Sequence, residues 1–151
     1  MIIGVTGTRN GMTAHQERQI RLFLRRLDIG MFHHGDCVGV DAELHDIIRE
    51  ISPNTLINVH PPTDPKYRAW KRGDLLHTPA PYLTRNRHIV DASEFMIAVP
   101  DGPERKRSGT WSTVRYAIRQ NVNKHPMTPV RIFFPDGTVQ FGLDRDPGDR
   151  S

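Results

Sequence analysis

Four short segments of the chain combine small residues with groups that recognise anions. Gly7, Thr8 and Arg9 close the first apolar run. A glycine turn there leaves backbone N–H groups free to meet a phosphate, and Arg9 can add a charge-assisted fork. The same three residues also fit an ordinary turn with a surface arginine, because short glycine motifs are weak signals. Residues 35–41, Gly-Asp-Cys-Val-Gly-Val-Asp, repeat the pattern of apolar run, glycine turn and helix. Gly35 and Gly39 permit the turn, and Asp36 is placed to accept from a ribose hydroxyl or to cap the helix. Asp41 falls in the first helical turn, where the helix dipole stabilises a carboxylate. His45 follows one turn later, so a local Asp41–His45 pair is expected. Cys37 lies in the same loop with nothing nearby in sequence to activate it, and is read as inert.

The third segment, residues 84–87, is Thr-Arg-Asn-Arg; Arg85 and Asn86 are placed either to orient a ligand or to tie loops together. The fourth is residues 108–113, Ser-Gly-Thr-Trp-Ser-Thr. Ser108, Gly109 and Thr110 lead into a helix whose first N–H groups have no intrahelical acceptor, with Thr113 one turn on. Simple capping by Ser108 or Thr110 explains the same residues. The third and fourth segments are separated by one apolar strand, and together they are more specific than either alone.

These segments need a scaffold that brings them to one place, and the apolar pattern supplies one. Strands are expected at residues 2–6, 29–34, 55–59, 95–99 and 130–134, the fourth of them apolar throughout as a strand covered on both faces should be. Between them run helical repeats. Thr13 with Gln16 forms a capping box ahead of Ile20, Phe23, Leu24 and Leu27. Leu44, Ile47, Ile48 and Ile51 share one face, a third helix opens at Thr84, and a fourth near Thr110 turns Val114, Ala117, Ile118 and Val122 inward. Asp136 and Gly137 make a turn after which residues 138–141 pair back as a hairpin. Residues 60–83 read as a long loop with room for a short helix. Alternating strands and helices predict a Rossmann-like α/β fold: an open parallel sheet of about five strands with helices on both faces. Right-handed crossovers then put the turns after the first, second and fourth strands at one sheet edge, so residues 7–9, 36–39 and 108–110 are expected to line one pocket.

The 151 residues fit a single domain, expected over 1–143 with a flexible tail at 144–151. One cysteine excludes an intrachain disulfide or a cysteine-based zinc site, and no apolar run approaches the roughly 20 residues of a membrane helix. With no leader-like segment apparent, a cytoplasmic protein is expected. The net charge of +4 suits phosphates of any kind. Tyr67, Trp70 and Trp111 lie near Lys66, Arg68, Lys71, Arg72 and residues 105–107, a composition that could stack on single-stranded nucleic acid. A solvated basic loop with the tryptophans packed inward is the favoured reading.

The order of these pieces resembles the SLOG superfamily, which unites the Rossmann domain of DNA-processing protein A with the LOG-type nucleotide phosphoribohydrolases. The resemblance rests on Gly7-Thr8-Arg9, on Gly39-Val40-Asp41 with His45, on Thr84-Arg85-Asn86-Arg87, and on Ser108-Gly109-Thr110 with Thr113 and Ala117. It implies a phosphate or nucleotide pocket at the strand ends. LOG-type enzymes place a catalytic glutamate where this chain has Thr113, so the resemblance does not carry their activity over; Asp36 and Asp101 are the carboxylates that could replace it. The expectation is a sensor or carrier domain for a small nucleotide-like ligand, working as a homo-oligomer, with no cofactor beyond that ligand. An N-glycosidic hydrolase or transferase and a single-stranded DNA-binding protein are the alternatives.

Overall fold

The computed structural model describes residues 1–142. The tail expected at 144–151 lies outside them. The described residues form seven strands and four helices: β1 (Ile2–Gly7), α1 (Ala14–Leu24), β2 (Met31–His34), α2 (Val40–Ile51), β3 (Leu56–Val59), β4 (Leu75–Leu76), α3 (Tyr82–Ala92), β5 (Phe95–Val99), α4 (Gly109–Gln120), β6 (Val130–Phe133) and β7 (Val139–Phe141). They build one sheet in the order β4-β3-β2-β1-β5-β6-β7, parallel except for the antiparallel β6–β7 hairpin. This is the Rossmann-like open sheet expected, with two strands more than the five counted by apolar runs. β7 is the anticipated hairpin return, and β4 is a two-residue addition from within the long 60–83 segment.

Side-chain alternation along the strands sorts the core into two layers. Ile3, Val5, Phe32, Ile57, Ile97 and Val99 meet Ile20, Leu24, Leu44 and Ile48, which places α1 and α2 on one face. Met96, Ala98, Val130 and Ile132 meet Ile89, Val90, Trp111, Val114 and Ala117 of α3 and α4 on the other. Gly4 belongs to this second face, where an added Cβ would sit 2.3 Å from Ser93 Oγ and 2.9 Å from Ile89. Its lack of a side chain lets α3 approach β1 closely.

Local signals fix most helix ends. Thr13 accepts from Gln16 N while the Gln16 side chain accepts from Thr13 N, completing the expected capping box, and Ser108 caps α4 by accepting from Trp111 N. Two details differ from expectation. α3 starts at Tyr82, with Pro81 in extended backbone at the cap position, so Thr84 lies inside the helix. α4 ends at Gln120, so Val122 no longer follows the helical phase and is 76% exposed. No helix of the described residues is long and apolar enough to cross a membrane.

Candidate functional site

The strand order reverses at β1: β2, β3 and β4 lie on one side of it, and β5, β6 and β7 on the other. In open α/β sheets this switch point leaves a crevice beyond the carboxyl ends of the two diverging strands, because their connections leave in opposite directions. A cavity of about 190 Å³ opens there, lined by residues of the turn after β1 (Gly7, Thr8, Arg9, Asn10), of the loop after β5 (Asp101, Arg105, Arg107), of the start of α4 (Ser108, Gly109, Thr110), and by Tyr82. A second cavity of about 360 Å³ adjoins it and shares Arg9, Tyr82, Arg107 and Gly109; Cys37, Pro62, Thr63, Asp64 and Tyr67 complete its wall. The two form one cleft with a polar lobe and a lobe of mixed character.

The polar lobe is held by Asp101. One carboxylate oxygen accepts from Thr8 Oγ1 at 3.2 Å and Asn10 Nδ2 at 3.0 Å; the other takes Arg105 Nη1 at 2.6 Å. These contacts lower the Asp101 pKa, the Arg105 hydrogen bond most of all. Asp101 thereby locks the turn after β1 to the loop after β5. The Ser108 hydroxyl caps Trp111 N, leaving the first-turn N–H groups of Gly109 and Thr110 directed by helix geometry toward an outside acceptor. Arg9 is exposed and lies 3.8 Å above the Tyr67 ring, so a guanidinium and a phenol mark the junction of the two lobes.

The turn after β2 is built differently. Val40 N, which would open the α2 N-terminus to a ligand, donates to the Thr8 carbonyl at 3.1 Å. Gly39 has φ +91°, and an added Cβ would lie 2.5 Å from the Arg9 carbonyl, so glycine is needed for this approach. Asp36 is fully buried and accepts from Arg68 Nε at 2.7 Å and Lys71 N at 2.9 Å. Residues 65–71 fold across the turn, with Val38 N donating to Tyr67 O and Ala69 N to Asp36 O. Asp36 is thus enclosed by protein partners rather than presented to a ribose. Asp41 accepts from Gly35 N at 3.1 Å and Cys37 N at 3.2 Å, and burial pushes its carboxyl up to about 6, against the pull of Arg85 and of those two donors. His45 does not pair with Asp41: its Nδ1 is 3.0 Å from His34 Nε2, across from β2. Burial, with Asp41 second, raises the Cys37 pKa and keeps it a thiol.

Arg85 is 2% exposed and donates to the carbonyls of Gly35 and, at 3.2 Å, His60. It ties the ends of β2 and β3 together. Thr113 lies away from the polar lobe, in a narrow crevice between α3 and α4, its hydroxyl spent on Gly109 O at 2.8 Å; Asn86 borders that crevice and also a small pocket it shares with Gly7, Cys37, Asp41, Tyr82 and Arg85. Of the residues singled out by sequence, Gly7, Thr8, Arg9, Ser108, Gly109 and Thr110 therefore share one cavity. Gly35, Asp36, Gly39, Asp41 and Arg85 form the buried frame beneath its neighbour. Asn10, Arg105 and Arg107 join the site as neighbours of the segments singled out, and Tyr82 enters it from the start of α3. Trp111 is buried as expected, but Trp70 is 63% exposed, with the Arg68 guanidinium 4.0 Å over its ring, which corrects the expectation of both tryptophans packing inward. Set against known proteins, the chain matches no family model and no curated sequence.

Proposed function

We propose that the chain binds a nucleotide or nucleotide-derived phosphate ligand in this cleft, as a sensor or carrier domain of the SLOG type. The observation that carries this reading is the meeting, at the β1/β5 switch point, of the α4 N-terminus with Arg9, Arg105 and Arg107 in one cavity. Backbone N–H groups and guanidinium forks are two strong ways a protein holds a phosphoryl group without a metal. The mixed lobe beside it, with Tyr67 and Tyr82, offers flat apolar surface to a ring joined to that phosphate, and Thr63 and Asp64 offer polar edges. The test is calorimetric titration with nucleoside monophosphates, nucleosides and inorganic phosphate, alongside native mass spectrometry of protein purified without denaturation. Monophosphates should bind more tightly than either component alone. Equal binding of nucleosides would remove the phosphate lobe from the argument. Arg9→Ala should weaken monophosphate binding by about 1.5–3 kcal/mol, the range of a hydrogen bond to a charged group. Its melting temperature should hardly move, since Arg9 is exposed; unchanged affinity with reduced stability would make Arg9 structural.

A second reading, N-glycosidic cleavage or transfer, has one observation in its favour: Asp101 is a carboxylate in the polar lobe. Its oxygens are already taken by Thr8, Asn10 and Arg105, which suits bracing the lobe better than attacking a sugar. We therefore expect no robust base release from adenosine monophosphate or base-modified relatives. If release is seen, Asp101→Asn should lower it about 10²–10³-fold, as loss of a well-placed electrostatic group does. Thr113→Glu is not expected to create activity, because position 113 faces the α3–α4 crevice.

A further inference from the structure

A second group of ligand-type side chains lies at the same sheet edge but lines neither lobe. His33 is the penultimate residue of β2, and His60 and His77 are the first residues beyond β3 and β4. Three adjacent parallel strands thus each deliver one imidazole. One nitrogen of each ring lies within 4.8 Å of the other two. His33 Nδ1 is 2.7 Å from His60 Nε2, and the His60 and His77 rings stack at 3.9 Å with planes 7° apart.

We propose that His33, His60 and His77 bind one divalent transition cation of zinc-like chemistry, with the remaining coordination position open to water. Imidazoles without a carboxylate among them select zinc, copper, nickel or cobalt over magnesium or calcium, which prefer oxygen ligands. Zinc–nitrogen bonds of about 2.0–2.1 Å in tetrahedral geometry set ligand nitrogens about 3.3 Å apart. The His33–His60 contact at 2.7 Å is shorter than that and every pair lies within 4.8 Å, so ring rotations that part His33 from His60 would bring the three nitrogens to the spacing an ion needs. The second observation is Asn58. It is 2% exposed on β3, and its Oδ1 is 2.9 Å from His77 Nε2. With that oxygen accepting from Nε2–H, His77 presents its lone pair on Nδ1, toward the other two rings. Metal-bound histidines are oriented in this way, by giving the far N–H to an outer acceptor. His33 and His60 are buried and His77 is exposed, which gives the ion a route in and leaves a face for water.

The ion would act on the least anchored part of the sheet. β4 has only two residues, and His77 follows it directly. A cation held by His77 together with His33 and His60 fastens this stretch to β2 and β3. The same stretch of chain, between β3 and α3, supplies Thr63, Asp64 and Tyr67 to the mixed lobe of the cleft.

The experiment is zinc titration of chelator-treated protein by calorimetry, repeated with cobalt(II) and read by visible absorption. Wild type should saturate at one zinc per chain, and cobalt should give the intense bands of a tetrahedral site. His77→Ala, at an exposed position, should keep its circular dichroism and lose affinity by about 100-fold or more, beyond the 10–100-fold that loss of an outer-shell partner costs. Zinc should raise the melting temperature of wild type and not of this variant. His33→Gln should behave likewise, and if it fails to fold, His77→Ala decides alone. Absence of saturable uptake by wild type, or uptake equal in His77→Ala, would overturn the proposal and leave a hydrogen-bonded histidine stack.

Discussion

Replacing Arg85 by alanine is expected to lower the stability of the domain by about 3–4 kcal/mol. Its guanidinium is buried and gives hydrogen bonds to two carbonyls at the ends of neighbouring strands, Gly35 after β2 and His60 after β3. Each hydrogen bond from a charged donor contributes about 1.5–3 kcal/mol, and a cavity is left as well; relief of burying a charge offsets part of the sum. The fit is close, since an added Cβ at Gly35 would lie 2.6 Å from Arg85 Cζ. Arg85 also stacks its guanidinium 4.7 Å over the Tyr82 ring, which lines both lobes of the cleft. Loss of Arg85 should therefore weaken ligand binding secondarily, by loosening Tyr82. Arg85→Lys should fall between: both bonds come from Nη1, so an ammonium that reaches the same point can keep them, but it loses the flat stacking over Tyr82 and the fit of the guanidinium plane. Urea unfolding of the three proteins reads the stability term, and calorimetry the binding term. A stability loss under about 1 kcal/mol joined to complete loss of binding would mean that Arg85 addresses the ligand directly, the other role its place in the sequence allows.

How much of this was legible in the sequence divides along local and non-local lines. The five main strands and four helices follow from runs such as residues 95–99 and from repeats such as Leu44, Ile47 and Ile48, because each pattern is a property of adjacent residues. The capping box at Thr13 is local too. What the sequence conceals depends on which strands become neighbours. The loop that carries Asp101, Arg105 and Arg107 is placed at this edge by the alternation of strands and helices, but that Asp101 is taken up by Thr8 and Asn10, more than ninety residues away, shows only once β1 and β5 are neighbours. Asp36 looks available in a turn, but residues 65–71, distant in sequence, fold over it. His45 stands one helical turn from Asp41, yet its partner is His34 on the strand beneath. The three histidines at 33, 60 and 77 have no motif spacing at all; only the β2-β3-β4 pairing makes them a group. Thr84 misleads for a different reason: it has the residue type of a cap, but Pro81 already holds the extended backbone that starts the helix.

Asp41 should make the pH dependence of stability differ between wild type and Asp41→Asn, by about 3 kcal/mol between the acid side of pH 4 and pH 7. Burial raises its carboxyl from an ordinary value of 3.8 to about 6. Between those values the folded chain keeps a proton that the unfolded chain releases, so the native state binds more protons. Stability contributed by this group is then lost as pH rises from about 4 to just above 6, the opposite sense to a salt-bridged carboxylate. The size follows from a shift of roughly two units at about 1.4 kcal/mol each. Asparagine cannot ionise, so the variant lacks this loss, and every other titrating group should largely cancel in the comparison. The variant can also keep the contacts that matter: Gly35 N and Cys37 N both donate to one oxygen, Oδ2, which an amide oxygen replaces. Asp41 and Arg85 work as a unit here, one gripping the N–H of Gly35 and the other its carbonyl. The Arg85 charge therefore opposes the rise, and Arg85→Ala should push the Asp41 carboxyl higher still, extending the window of loss above pH 6. Urea midpoints taken from pH 5 to 7.5 cover enough of the window to decide. The Asp41→Asn profile should climb relative to wild type throughout it, and parallel profiles would show that the carboxylate is ionised in the fold at little cost.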